Sequence, residues 1–373
     1  MNLILIFTFA ASYNRIQYHN FMERLINDRL KAARILQGMS LKDLAAKLNN
    51  SISRQGLHKY ETGIVNPDKD MLKKLSEALD VPIEYFFRDL GSLQLSKIEF
   101  RKLHVLPSKE ESLIIEKSKD ILERYLEIES ILGITSNFEN PLESYDSIKD
   151  YSDITKAAMG VRDTWNIGID AIANVIDLLE DNGIKIIKVK TAESIDGFQT
   201  WVNGTIPVIG FNEEKLHKPD RIRFTLLHEL CHLLLGDKFG DASENKIEKY
   251  CNHFAGVMLI PDKALKKEIG DHRNNILMQE LGAIKRQYGI SMQSLLMRIK
   301  VCGILNDHAI KQIFNSFKHL GWNINEPYDF HGFEQSDRMQ QLIYRAMAEG
   351  LINEKKATEL SNRKVNELHI TEK

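Results

Sequence analysis

Two histidines and a glutamate open the chemical reading of this chain. The stretch Arg221–Pro261 contains HELCH, which places His228, Glu229, Cys231 and His232 within one helical turn and a half. Residues four apart lie on one face of a helix, so His228 and His232 can aim imidazole nitrogens at one point. That is the arrangement of two ligands of a tetrahedral Zn²⁺, with Glu229 placed as general base on an attacking water. With 12 histidines in the chain, such a spacing arises by chance with a probability on the order of a few per cent. The plainer alternative is two ordinary histidines, one of them buried, beside a surface glutamate. The surrounding FTLLHELCHLLL argues against it, because burying three ionisable groups in so apolar a helix is costly unless a cation compensates.

A catalytic zinc site needs a third protein ligand and an open position. The following helix, read as Lys246–Leu259 and capped by Ser243 or Asn245, supplies candidates. Glu248, Cys251, Asn252 and Ala255 share one face of it. Glu248 stands 16 residues after His232, which is room for a turn and an antiparallel return. It is the leading third ligand. Glu244, a Cys251 thiolate and a His253 imidazole are its competitors. Asn252, on the Glu248 face, and Cys231 are expected to support the ligands from behind. No residue is singled out to stabilise an oxyanion; Tyr250, His253 and Arg221 are the candidates.

These residues need elements to hold them. Ile154–Trp165 and Ala171–Asn182 read as helices, and Ile184–Val189 as a strand. Gly197–Val202 and Ile206–Phe211 read as two more strands joined at Asn203-Gly204, a strong hairpin signal. A small sheet therefore precedes the metal helix, which Gly236 ends. An edge strand of such a sheet suits main-chain pairing with an extended peptide; the sequence does not say which strand is the edge. After Pro261 come helices around Asn275–Tyr288, Ser291–Ile299, Asp307–Leu320, Asp337–Gly350 and Glu354–Ser361.

The N-terminal part is different. Met22–Gln37, Leu41–Leu48, Arg54–Glu61 and Asp70–Leu79 read as helices, with a fifth short one from Pro82 to Phe87. Ser40 and Ser53 look like N-caps. Two short helices joined by the Asn49-Asn50 turn make a helix-turn-helix. Met39-Ser40, Leu44-Ala45, the run SRQGLHKYETG at Ser53–Gly63, and Pro67 resemble the phage repressor/Cro-like (XRE) family. That resemblance implies that Ser53, Arg54, Gln55 and His58 face the major groove. Arginine suits guanine O6/N7 and glutamine suits adenine N6/N7, while Lys59 fits a phosphate better. Two departures weaken the match: Leu41 stands where the family usually has glutamine, and Gly56 interrupts the recognition helix. Met22–Leu90 holds 12 Lys/Arg against 10 Asp/Glu, so DNA binding is expected to be weak without a homodimer. A helix-turn-helix kept for protein contact is the alternative.

In the second half, PVIGFN at Pro207–Asn212, RIRFTLLHELCH, and Glu248 to Pro261 read as ExxCNxFAxxxLxP resemble the ImmA/IrrE family of metallopeptidases. The resemblance implies a zinc-peptidase fold in which His228, His232 and Glu248 hold Zn²⁺ and Glu229 is the base. It also implies a repressor-like transcriptional regulator as substrate, in a stress, mobile-element or defence response. Several family members carry an N-terminal helix-turn-helix. Cys231 replaces the family's usual glycine, and a thiol so near the metal suggests a site open to oxidation.

The bulk properties agree. The chain has 373 residues, 43% hydrophobic and 27% charged, with net charge −2, which excludes a polycation that coats nucleic acid. Three cysteines without a spaced framework fit a reducing cytoplasm. Met1–Ser12 is apolar but too short to span a membrane. The expectation is therefore a cytoplasmic, multidomain chain with no membrane segment. Residues 1–21 are an extension, 22–90 an all-α helix-turn-helix domain, and 91–150 a linker with the amphipathic helix Ser108–Leu132. Residues 151–300 are an α+β zinc-peptidase domain with a small sheet, and 301–373 a mostly helical C-terminal region. A competing function is a helix-turn-helix transcriptional regulator whose peptidase-like domain senses a metal, ligand or partner without catalysis.

Overall fold

The computed structural model describes residues 25–87, 93–96, 98–100, 106–191 and 195–362. The expected extension 1–21, and the end of the C-terminal region from 363 on, lie outside the described residues. Two compact units divide the rest. The first holds the described residues up to 93 together with 106–123; the second holds 94–96, 98–100 and 124–362.

In the first unit, residues 25–36 form α1, followed by α2 (Leu41–Lys47), α3 (Arg54–Glu61) and α4 (Lys69–Leu79). A 3₁₀ turn, Ile83–Phe87, closes the series. Each of α2, α3 and α4 starts where a short polar side chain satisfies an end N–H. Ser40 accepts from Asp43 N while Asp43 returns a bond to Ser40 N. Ser53 accepts from Gly56 N, and Asp68 from Met71 N. The apolar faces meet in a core of Leu30, Ala33, Leu44, Leu57, Leu75 and Phe86. Arg34 grips Glu61 through two bonds of 2.6 and 2.9 Å, fixing the end of α3 to α1.

Helix α5 (Ser108–Ile131) contributes its first sixteen residues to the first unit and the remainder to the second. The second unit continues with α6 (Tyr151–Thr164) and α7 (Val175–Asp181). Asn174 caps α7, so that helix starts later than Ala171, the start expected from the sequence. Then come β2 (Lys185–Val189), β3 (Gly197–Val202) and β4 (Ile206–Asn212). Part of the stretch read as a linker, Glu99–Phe100, is β1 and pairs antiparallel with β3. The sheet order is β1-β3-β4-β2, with β2 parallel to β4 and β3 antiparallel to it. Asn203 (φ 52°) and Gly204 (φ 72°) both adopt the left-handed conformation that a two-residue hairpin turn requires. The edges are thus β1 and β2.

Helix α8 (Pro219–Leu235) packs against β3, β4 and α9 (Glu244–Leu259). The helix α10 (Asp262–Ile269) follows directly: Pro261, which reads in the sequence as a stop, is the cap of a new start. Helices α11 (Met278–Tyr288), α12 (Met292–Val301), α13 (Asp307–His319), α14 (Arg338–Ala348) and α15 (Glu354–Ser361) complete the unit. Between α13 and α14 a strap delivers two glutamates, Glu334 buried and Glu326 partly so. Glu326 bonds Lys285 Nζ and the first N–H groups of α12, and Glu334 does the same for Arg223 and α7. Among the described residues, no helix is long and apolar enough to cross a membrane.

Candidate metal centre

Helix α8 is buried on nearly every side, and this decides the state of its polar residues. His228 and Glu229 are 0% and 1% exposed; His232 is half-buried. Their Nε2 atoms face each other at 3.2 Å. Glu248, on α9, places Oε1 3.4 Å from His232 Nε2 and Oε2 3.5 Å from His228 Nε2. Four ligands held tetrahedrally at zinc distances stand about 3.3 Å apart. The two imidazole nitrogens lie near the separation a Zn²⁺ ion asks of its ligands, the Glu248 carboxylate turns a different oxygen to each of them, and this N,N,O donor set is one that zinc accepts.

The supporting contacts fit the same role. Asn252 Oδ1 lies 3.0 Å from His228 Nδ1. An amide oxygen there accepts the Nδ1 proton and leaves the Nε2 lone pair facing the centre. His232 is shifted up to about 10: burial opposes its charge, but the Cys251 and Glu248 side chains beside it outweigh burial.

Cys251 is the rival third donor, its sulfur and the two imidazoles grouping with all ligand atoms within 4.8 Å of one another. Burial, with Cys231 beside it, pushes its thiol well above the ordinary range. The Glu248 oxygens stand closer to both imidazoles than that limit. Cys231 lies against Cys251, and both are free and fully buried. Such burial makes a thiol inert and works against the oxidation that the position of Cys231 suggests. Glu244 is exposed at the first turn of α9.

The candidate oxyanion groups are otherwise engaged. Tyr250 donates its hydroxyl to Lys149 O at 2.8 Å. His253 Nε2 sits 2.9 Å from Thr155 Oγ1, and its Nδ1 faces Arg298. Burial, aided by Arg298, pushes His253 down to about 4. Arg221 is exposed.

One residue of the site has no sequence motif to announce it. Gly197 opens β3 directly over the metal helix. A Cβ there would come within 2.7 Å of Thr225 Cγ2 and 3.1 Å of Glu229 Cγ. Its glycine lets the strand close down on the base, and the only hint in the sequence is a glycine at a strand start.

In the first unit, Ser53 spends its hydroxyl on capping α3. Arg54, Gln55, His58 and Lys59 are exposed on that helix. Gly56 has a packing reason, since a Cβ there would lie 2.7 Å from Ile52 Cγ1.

Residues 30–86 match the family model described as helix-turn-helix. Residues 179–300 match the one described as IrrE N-terminal-like domain. No curated protein matches the chain. With the helical N-terminal region, the small sheet and the paired helices α8 and α9 in place, the chain carries a helix-turn-helix over residues 30–86 and, over residues 179–300, a domain similar to the IrrE/ImmA type of peptidase.

Proposed function

We propose that the chain is a regulatory zinc endopeptidase, fused to a DNA-binding domain, that cuts a repressor-like transcriptional regulator in a stress, mobile-element or defence response. The observation that carries the reading is the convergence of His228, His232 and Glu248 at 3.2–3.5 Å beside a buried Glu229. His228, His232 and Glu248 would hold the ion. When bound, Zn²⁺ supplies Lewis acidity, polarising a peptide carbonyl and acidifying water.

The rest is done by side chains. Asn252 keeps His228 in one tautomer. Glu229 accepts a proton at its carboxylate from the attacking water and returns it to the leaving amine. Its burial, with β3 close over it at Gly197, keeps bulk water from competing for that proton. On the first unit, Arg54, Gln55 and His58 would read bases, and Lys59 would meet a phosphate.

The test is co-expression with repressor-like regulators from the same genome, wild type against Glu229→Gln and His228→Ala. A cut fragment with wild type alone is expected, with Glu229→Gln retaining zinc and His228→Ala losing it. Undiminished cutting by Glu229→Gln would remove the base from the mechanism. Zinc bound but no cutting by any form, with operator binding that changes on zinc removal, would favour the sensor reading instead.

A further inference from the structure

We propose that the segment ahead of α5 is a built-in blocker of the peptidase: residues 94–96 and 98–100 occupy the edge of β3 that leads to Glu229, and cutting begins only when they leave it. The proposal rests on the peptidase reading above and concerns how that site is regulated.

Only one side of the sheet adjoins the metal helix. Helix α8 packs against β3 and β4, whereas β2 packs against α7. Gly197, the first residue of β3, comes down on the base, a Cβ there standing 3.1 Å from Glu229 Cγ. β4 holds one side of β3, so the other side is the edge beside HELCH.

A strand edge is a row of N–H and C=O groups that an extended peptide can join. On β3 those groups are already engaged by this chain. Ser96 N–H donates to Trp201 O at 2.8 Å, and Asn203 N–H donates to Gln94 O at 2.8 Å. Asn203 Oδ1 accepts from Gln94 N at 2.9 Å, and Thr200 Oγ1 donates to Ser96 O at 3.0 Å. Leu95 stands opposite Val202, Glu99 opposite Gln199 and Phe100 opposite Phe198, all antiparallel. The pairing therefore runs down β3 toward the base. Its last pair, at Phe198, is one residue, or about 3.3 Å of strand, from Gly197. A peptide joining this edge on its way to the metal needs the same main-chain partners, and two strands cannot share them.

The segment is built to be displaced. Its ladder is two residues long, with one further bridge at Leu95. By contrast, β4 pairs with β3 over all 6 residues of that strand. Gln94 and Ser96 are exposed, and Ile98 is buried as the apolar anchor. So short a ladder, with its main-chain bonds near solvent, belongs to the least stable class of local structure.

Two measurements on the full chain test this. In the first, zinc-loaded protein cleaves a random decapeptide library, wild type against Ser96→Pro and Ile98→Ser. Proline removes the Ser96 N–H, and serine removes the anchor. Each variant should cleave at least tenfold faster than wild type with unchanged zinc content. Measurable cleavage that is no faster in either variant, with zinc retained, overturns the proposal. The second measurement needs no catalysis. A fluorescein-labelled peptide of the segment's own sequence, QLSKIEF, is titrated into Glu229→Gln protein with and without Ser96→Pro and followed by anisotropy. At least tenfold tighter binding to the loosened chain is expected. Should Ser96→Pro unfold the second unit, Ile98→Ser takes its place. Equal affinity in the two proteins refutes the blocker even if the wild type cuts protein. Tighter binding to the loosened chain, when no form cuts anything, would strike the peptidase reading and leave the covered edge standing.

Discussion

Replacing Glu334 by alanine tests how the strap supports the metal helix. Arg223 and Glu334 are both 0% exposed and meet at 2.5 Å. Arg223 lies on α8, five residues before His228, and its other bonds go to Ile172 O at 2.6 Å and Ala173 O at 3.2 Å. Glu334 also accepts from Val175 N at 3.0 Å and Ile176 N at 3.3 Å, which are end groups of α7. Glu334→Ala therefore strands a buried guanidinium and uncaps a helix. Leaving one partner of a buried pair uncompensated costs about 3–5 kcal/mol, a large part of the ~5–15 kcal/mol that holds a domain folded. Burial shifts Arg223 down and Glu334 up, both toward their neutral forms, so desolvation is not fully offset by the pairing. The double change Arg223→Met with Glu334→Leu is then expected to lose no more than either single change. The three tryptophans, Trp165, Trp201 and Trp322, all lie in the second unit. Their fluorescence in urea reports that unit, and with a slope of about 1–3 kcal/mol/M the midpoint should fall by more than about 1 M. A loss below about 1 kcal/mol for Glu334→Ala, or a double variant that loses the sum of both, would refute the reasoning.

Zinc at about a thousandfold excess over its Kd should stabilise the second unit by about 4 kcal/mol in the same assay, reversed by EDTA; Asn252→Ala should weaken zinc binding by about 10–100-fold, read by competition with a chelating dye. Gly197→Ala is expected to destabilise by about 1–3 kcal/mol through overlap with the Thr225 methyl, and adding Thr225→Ser should restore part of the loss; no restoration would mean the clash lies elsewhere. Arg54→Ala and Gln55→Ala should leave the melting of the first unit within the scatter of surface changes, yet each should lower preference among duplexes selected by the full chain by about 1–3 kcal/mol. Lys59→Ala should instead weaken all duplexes alike and reduce the salt dependence by about one phosphate contact.

The sequence by itself determined the classes of element and named the candidate donor residues. HELCH fixed a helix with two imidazoles on one face because helical spacing is local, and Ser40, Ser53 and Asn203-Gly204 announced their caps and turn for the same reason. Glu248 could be named as a candidate because its face on α9 is also a matter of spacing. What the sequence left open were relations between residues distant in the chain. Nothing near Pro261 marks α10, and nothing in residues 91–105 tells that Glu99–Phe100 will pair with β3. The meeting of Glu248 and Cys251 with the two imidazoles, the approach of Gly197 to Glu229, and a cavity shared by Tyr151, Met297 and Phe314 depend on packing. So does Glu334, which holds α8 and α7 together from more than a hundred residues away. Spacing along one helix is set by the backbone hydrogen bonds of that helix, whereas a contact between elements is set by which apolar faces bury each other, and only the folded chain decides that.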